Sequence, residues 1–326
     1  MVASRSSLAA ALDLERIEPW RFRALMGDDR PDRVFGGQVI AVALLAAGRT
    51  VTPELGVHML HSRFLRCGDP RRPIEFEVEP AADRGSFAHR RLVATQGDTC
   101  ILDLTASFHR DEKGPGHQYS TVALEDPERI PTFAELAMSG DDSARRWWSR
   151  LATWLPVEVR SPVLPGRWIP APGAPFIPRQ PVWLRSIDWL DPDPLTHAAA
   201  AAYVSDLFLL TAAMVRHGLR HDDPGVLAVT LNHSMWFHQP FRADDWFLHE
   251  QEGSWSGAGR MLSRGQMFDR SGRLVATTMQ EGLMRVSDET VQLGTARVFA
   301  GHAADLPSAS NLRSTDKRAS STCPSR

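Results

Sequence analysis

Asp206 stands inside one of the most apolar stretches of the sequence, between Ala198–Val204 and Leu207–Val215. A carboxylate among apolar neighbours is costly unless a partner or a function retains it. That makes Asp206 a candidate general base, able to activate a water molecule. Following Ser205, it also reads as an ordinary helix N-cap. The histidines signal less. His58 and His61 are three apart, which sets them on opposite faces of a strand; His58 is kept as a candidate substrate contact. His233 and His238, five apart, read as packing or hydrogen-bonding residues beside Trp236. His217 and His221 have helical spacing and precede Asp222-Asp223, a metal-like pattern. Gly218 and the Asp-Asp-Pro-Gly that follows read better as a helix ending in a turn, and the glutamate of a HExxH motif is missing. No metal and no other cofactor is expected. Gly253-Ser-Trp-Ser-Gly257 puts Trp255 where a nucleophile elbow needs serine. Neither a Walker loop nor a dinucleotide Gly-x-Gly-x-x-Gly is present. Arg63, Arg66, Arg71 and Arg72 could meet phosphates; an ordinary solvated strand and turn explains them equally well.

These residues need elements to carry them. Gln38–Ala47 is an apolar run of helical composition, followed by strand candidates Val57–Leu65, Ile74–Val78, Ser86–Thr95 and Cys100–His109. Leu207–Val215 reads as a second helix, followed by strand candidates Val226–His238, Phe247–Glu252, Gly259–Phe268 and Leu274–Arg285. The Ala198–Ala202 run reads as a place where a helix approaches a sheet closely. His61-Ser62-Arg63-Phe64 is echoed by His233-Ser234-Met235-Trp236. The turns at Gly97 and Gly272 recur at nearly the same offset, roughly 170 residues, as an internal duplication predicts. Helix first and then a meander, without βαβ alternation, predicts an α+β fold with an antiparallel sheet wrapped on a long helix. Between the repeats, the region from Asp111 to Pro181 is dense in proline. It reads as a long linker with short helical pieces carrying Trp147, Trp148 and Trp154.

Composition narrows the classes. The 326 residues suggest about two domains. Lys and Arg number 37 against 39 Asp and Glu, a net charge of −2 that argues against a nucleic-acid binder. Three scattered cysteines exclude a disulfide framework and suit a reducing cytoplasm. No span-length apolar run, secretory signal, peroxisomal address or prenylation box is expected.

Taken in order, Val34-Phe-Gly-Gly-Gln-Val, His58–Asp69, Tyr203-Val-Ser-Asp-Leu, Asn232-His-Ser-Met-Trp-Phe-His and Gln280-Glu-Gly-Leu-Met-Arg resemble the type II acyl-CoA thioesterases. The resemblance implies a double hotdog fold. Its expected parts are a flexible start over 1–10, an N-terminal hotdog over 11–112, a linker over 113–180, a C-terminal hotdog over 181–290 and a disordered tail over 302–326. It implies hydrolysis of acyl-CoA to free acid and CoA, with a catalytic trio falling on Asp206, Thr230 and Gln280, and association into a homo-oligomer. In that reading Asp206 activates water, Thr230 bonds the same water, and the Gln280 carboxamide holds its other side. Backbone amides near Gly36-Gly37 or near Asp206 could polarise the thioester carbonyl. Two other readings stay open: a hotdog enoyl-CoA hydratase or dehydratase, and a non-catalytic acyl-CoA-binding module.

Overall fold

A computed structural model describes residues 7–27, 33–118, 125–167 and 179–304. The chain opens with one helical turn, α1 (Leu8–Ala11), capped by Ser7. A short antiparallel pair follows, β1 (Glu15–Glu18) and β2 (Arg21–Ala24). Leu8 is buried, so the flexible start expected over 1–10 stops short of it; residues 1–6 lie outside the described residues. The first apolar run forms α2 (Gly36–Gly48), in which every residue from Gly37 to Ala47 is buried. A helix apolar on all sides has no solvent face and belongs in a core. Four long strands then wrap it: β3 (Leu55–Phe64), β4 (Ile74–Arg84), β5 (Phe87–Gln96) and β6 (Thr99–Arg110).

The proline-rich region does more than link. It holds α3 (Phe133–Ser139), opened by a Thr132–Glu135 capping box, and α4 (Asp142–Leu151). It also supplies an edge strand, β7 (Val157–Arg160), and the first residues of β8 (Arg179–Ser186). The second repeat continues with α5 (Pro194–Ser205), α6 (Thr211–Met214), β9 (Val226–Phe237), β10 (Phe247–Gly257), β11 (Arg260–Asp269), β12 (Leu274–Val286) and α7 (Asp288–Ala304). The tail expected over 302–326 lies outside the described residues from 305 onward.

The second central helix is not where apolar density alone sets it. Leu207–Val215 is a turn, the four residues of α6 and the start of a 3-10 turn. The helix is the alanine-rich α5. Asp193 caps it by accepting from the Leu195 and Thr196 amides, and Pro194 occupies its first position. It cannot run on through 207–215 because Phe208 takes a left-handed φ of 63°, which costs a bulky L-residue about 1–2 kcal/mol. Asp206 is therefore the C-cap of a helix and not an N-cap.

Among the described residues, all strands join one 12-stranded sheet in the order β1-β2-β4-β5-β6-β3-β9-β12-β11-β10-β8-β7. Every neighbouring pair is antiparallel. The repeats meet at β3 and β9, where His61 faces Ser234 and Ser62 faces His233. His61 and Ser62 are the repeat-mates of His233 and Ser234, so the junction pairs as a twofold axis requires. A sheet this wide curls, and both central helices share one buried cluster with strands of both repeats. The helices lie antiparallel: a Cβ on Gly37 would meet the Tyr203 carbonyl, and one on Gly48 would meet Leu195. This is the expected α+β double hotdog. Among the described residues no helix is long and apolar enough to cross a membrane.

Candidate active site

Antiparallel packing of α2 against α5 brings the amide end of one helix to the carbonyl end of the other. Asp206 sits at that meeting point. Its Oδ2 accepts from the Gly37 N–H at 2.9 Å. Phe35, the N-cap of α2, offers no side-chain cap. A carboxylate from the second repeat thus satisfies an amide of the first, at the helix end whose dipole favours negative charge. Glycine is required here by closeness. A Cβ on Gly37 would stand 2.2 Å from the Tyr203 carbonyl oxygen, and one on Gly36 would stand 2.9 Å from Asp206 Oδ2.

Two strands bring the other members. Thr230 on β9 donates from Oγ1 to Asp206 Oδ1 at 3.3 Å. Gln280 on β12 donates from Nε2 to Asp206 Oδ1 at 2.5 Å and to Thr230 Oγ1 at 2.7 Å. The β9–β12 register slips between Glu281 and Gly282, so that Leu231 is passed over beside Thr230. Such a bulge re-aims side chains next to a site. The three residues that the resemblance singles out are therefore in mutual contact. Gln280 differs from the expectation in one respect. It is fully buried and does not line the cavity, so its carboxamide holds Asp206 and Thr230 and not the far side of a water.

A buried polar ladder supports the turn after Asp206. Gln251 Nε2 donates to the Leu207 carbonyl at 2.7 Å, and Gln180 Nε2 reaches the Phe208 carbonyl at 3.5 Å. Gln180 and Gln251 bond each other, Gln251 meets His249 Nδ1, and His249 Nε2 meets Thr278 Oγ1. Burial lowers the His249 pKa to about 3, so it stays a neutral bridge. The ladder fixes the two carbonyls that flank the strained Phe208.

Beside Asp206 lies a cavity of 520 Å³ between the two repeats. Val34, Phe35, Gly36 and Phe64 wall it from the first repeat, and Asp206, Phe208 and Thr230 from the second. Trp147, Leu151 and Trp154 close it from the proline-rich region, which sequence reading treats as packing only. Arg66 lines it, as do Arg33 and Arg150, which sequence reading misses. Arg150 meets Asp222, which also lines the cavity, at 3.3 Å, and Arg63 and Arg71 pair with Asp103 and Asp69. Of the candidate substrate contacts, Gly36 lines the cavity and Gly37 bonds Asp206, whereas His58 is elsewhere. The β3–β6 register slips at His58, and its ring packs on Phe87 and His109 with Nε2 2.7 Å from Ser107 Oγ. His217 bonds Ser256 at the end of a 3-10 turn that Gly218 terminates. Among the described residues no group of three or more His, Cys, Asp or Glu is placed to hold a metal. Trp255 lies on strand β10, so the Gly253–Gly257 stretch forms no nucleophile elbow.

Known proteins match both repeats. A family described as acyl-CoA thioesterase matches residues 168–283, and one described as the acyl-CoA thioesterase N-terminal domain matches residues 28–109. The chain is 33% identical to human acyl-coenzyme A thioesterase 8 over 291 residues, covering 86% of this chain and 90% of that one. It is 32% identical to acyl-CoA thioesterase 2 of Haemophilus influenzae over 287 residues, covering 87% and 98%. The crystal structure of the acyl-CoA thioesterase II TesB2 of Mycobacterium marinum superposes with a TM-score of 0.70 at 36% identity, covering 87% and 100%. Likeness of this extent, running through both repeats and through the elements that carry Asp206, Thr230 and Gln280, makes the chain a member of the acyl-CoA thioesterase family and a thioester hydrolase.

Proposed function

We propose that this thioesterase hydrolyses acyl-CoA to free fatty acid and CoA by direct attack of a water held by Asp206 and Thr230. One observation carries the reading: Asp206 is bonded on three sides and still borders the cavity. Its Oδ1 accepts from Gln280 and Thr230, and its Oδ2 accepts from Gly37. A carboxylate has about four acceptor directions, so Oδ2 keeps one. A water there passes a proton to Asp206 as its oxygen bonds the thioester carbon. The carbonyl becomes an oxyanion beside the amide end of α2, whose dipole stabilises it. When the intermediate collapses the C–S bond breaks, and the Asp206 proton goes to the CoA sulfur. No covalent intermediate and no cofactor enters this scheme. Arg33, Arg66 and Arg150 at the cavity suit the phosphates of CoA. The apolar wall of Trp147, Leu151 and Trp154 suits the acyl chain. Cys67 and Cys100 are free thiols, which fits a cytoplasmic enzyme. The working form in this reading is a homo-oligomer of double-hotdog chains, as the resemblance implies.

Thiol release from acyl-CoA tests the scheme. Asp206→Asn, with its fold checked by circular dichroism, should lose at least ~10²-fold in kcat, the size expected for a general base. Near-normal turnover in the folded variant would remove Asp206 from the mechanism.

A further inference from the structure

His233 is fully buried on β9. It lies directly across from Gln280 on β12 and from Ser62 on β3 of the other repeat. Its Nε2 is 2.8 Å from the Oγ of Ser205, the residue before Asp206. Its carbonyl accepts from Ser62 Oγ at 3.1 Å. The ring therefore touches Ser205, the residue before Asp206, from a strand position that faces Gln280.

The orientation of Gln280 raises a specific question. Its Nε2 faces two acceptors, Asp206 Oδ1 and Thr230 Oγ1. Turned over, the carboxamide would set its oxygen 2.5 Å from a carboxylate oxygen, an arrangement of like charge with no proton between. Oε1 must therefore point away from Asp206. Among the described residues, Gln280 Oε1 and His233 Nδ1 are both buried without a hydrogen-bond partner, on side chains that face each other across the β9–β12 pairing. Leaving a buried polar atom unpaired costs about 1–3 kcal/mol. The two atoms answer each other only when the ring nitrogen carries a proton.

We propose that His233 is a positioning residue of this thioesterase: its Nδ1–H donates to Gln280 Oε1 and so locks the carboxamide with Nε2 toward Asp206 and Thr230. The inference rests on the reading of Asp206, Thr230 and Gln280 as the hydrolytic trio and extends it by one residue. Burial pushes His233 below the ordinary histidine range, against the pull of Asp206 and Gln280. The ring is then neutral, with its one proton on Nδ1. Nε2 is left as an acceptor, and the Ser205 hydroxyl donates to it rather than to the Ala202 carbonyl, which is also 2.8 Å away. The result is a closed circuit: Asp206, Gln280, His233, Ser205 and back along the chain to Asp206. Each member has its donors and acceptors fixed by the next, which is how a buried network selects one geometry.

The tautomer can be read in the unaltered protein. Nitrogen-15 NMR of the histidine rings, assigned through bonds to the backbone, should show His233 protonated at Nδ1 at neutral pH. A bare Nδ1 with the proton on Nε2 would overturn the proposal. Kinetics supply the second measurement. His233→Asn keeps an N–H near the place of Nδ1–H and should hold kcat within about fivefold. His233→Leu removes it and should lower kcat at least about tenfold, the loss expected for an unpaired buried acceptor, with KM within about twofold. A folded His233→Leu with unchanged kcat, or an asparagine variant as slow as the leucine one, would also overturn it. The two readings fail separately. Full activity in Asp206→Asn beside a protonated Nδ1 marks failure of the catalytic reading. An inactive Asp206→Asn beside a bare Nδ1 marks failure of this one.

Discussion

Asp206 has almost no space on the side of α2. A methyl group at Gly36 would stand 2.9 Å from Oδ2 and 3.1 Å from the Phe64 ring. One of the two must move, and Oδ2 is the atom with an acceptor direction left for water. Gly36→Ala should therefore lower kcat at least about tenfold, since small misplacements of a reacting group cost that much or more. Steady-state thiol release measures it, and an unchanged kcat would mean that the water does not approach Oδ2. How far the site is legible in the sequence differs by residue. Asp206 stands out because a charge breaks an apolar run. Thr230 does not, since Val-Thr-Leu looks like any strand, and Gln280 carries no signal of its own. Their meeting depends on the pairing of β9 with β12 and on a bulge at Leu231, which are long-range facts that no local pattern encodes; only the family likeness points to them. His58 shows the reverse. It is conspicuous in the sequence, yet a one-residue slip in β3 turns it onto Ser107.

Elements from the proline-rich region line the cavity. Trp147 and Leu151 are four apart on α4 and share a helix face, and Trp154 follows one turn later. The Phe133 ring of α3 stacks on Phe208 at 5.4 Å, and Trp147 meets Phe208 at 6.0 Å. The wall thus packs on the strained residue two places after Asp206. Trp154 is the piece to remove, since it lies against Phe35 at 5.5 Å where the wall meets the first repeat. Trp154→Ala should open that end and raise kcat/KM for longer acyl-CoA relative to shorter by about tenfold, the worth of one or two methylenes in an apolar pocket. A panel of acyl-CoA lengths checks it; an unaltered profile would mean that the chain lies elsewhere. Proline density marks these residues as irregular, but it does not say that they face a substrate. The second central helix is obscured in a similar way. Asp193-Pro194 is a legible helix start, but the denser apolar run at Leu207–Val215 masks it, and the left-handed turn at Phe208 leaves no pattern in composition.

At the scale of the molecule, the duplication is legible because the two halves repeat their wording at His61 and His233, and the structure pairs those very segments across β3 and β9. Several polar side chains are buried, and the histidines among them make stability depend on pH. Burial holds His197 and His233, and half-burial His58, below the ordinary histidine range, and burial lowers His249 to about 3. In the unfolded chain each of these rings takes a proton below about pH 6.5. The folded protein takes these protons only at lower pH, so unfolding binds protons and becomes easier as the pH falls. His249 alone should remove about 2 kcal/mol between pH 7 and pH 5. Carboxylates such as Asp223 and Asp244, held below their usual range by Arg297 and Arg242 against burial, add their own losses only at more acid pH. The window from 7 to 5 therefore isolates the histidines. The urea midpoint should drop across it in the native protein, and should drop less in His249→Gln, which keeps a polar side chain in the ladder without a titrating ring. If both proteins lose the same stability between those pH values, His249 accepts its proton in the folded state, and the neutral bridge beneath the Asp206 turn is not what holds it.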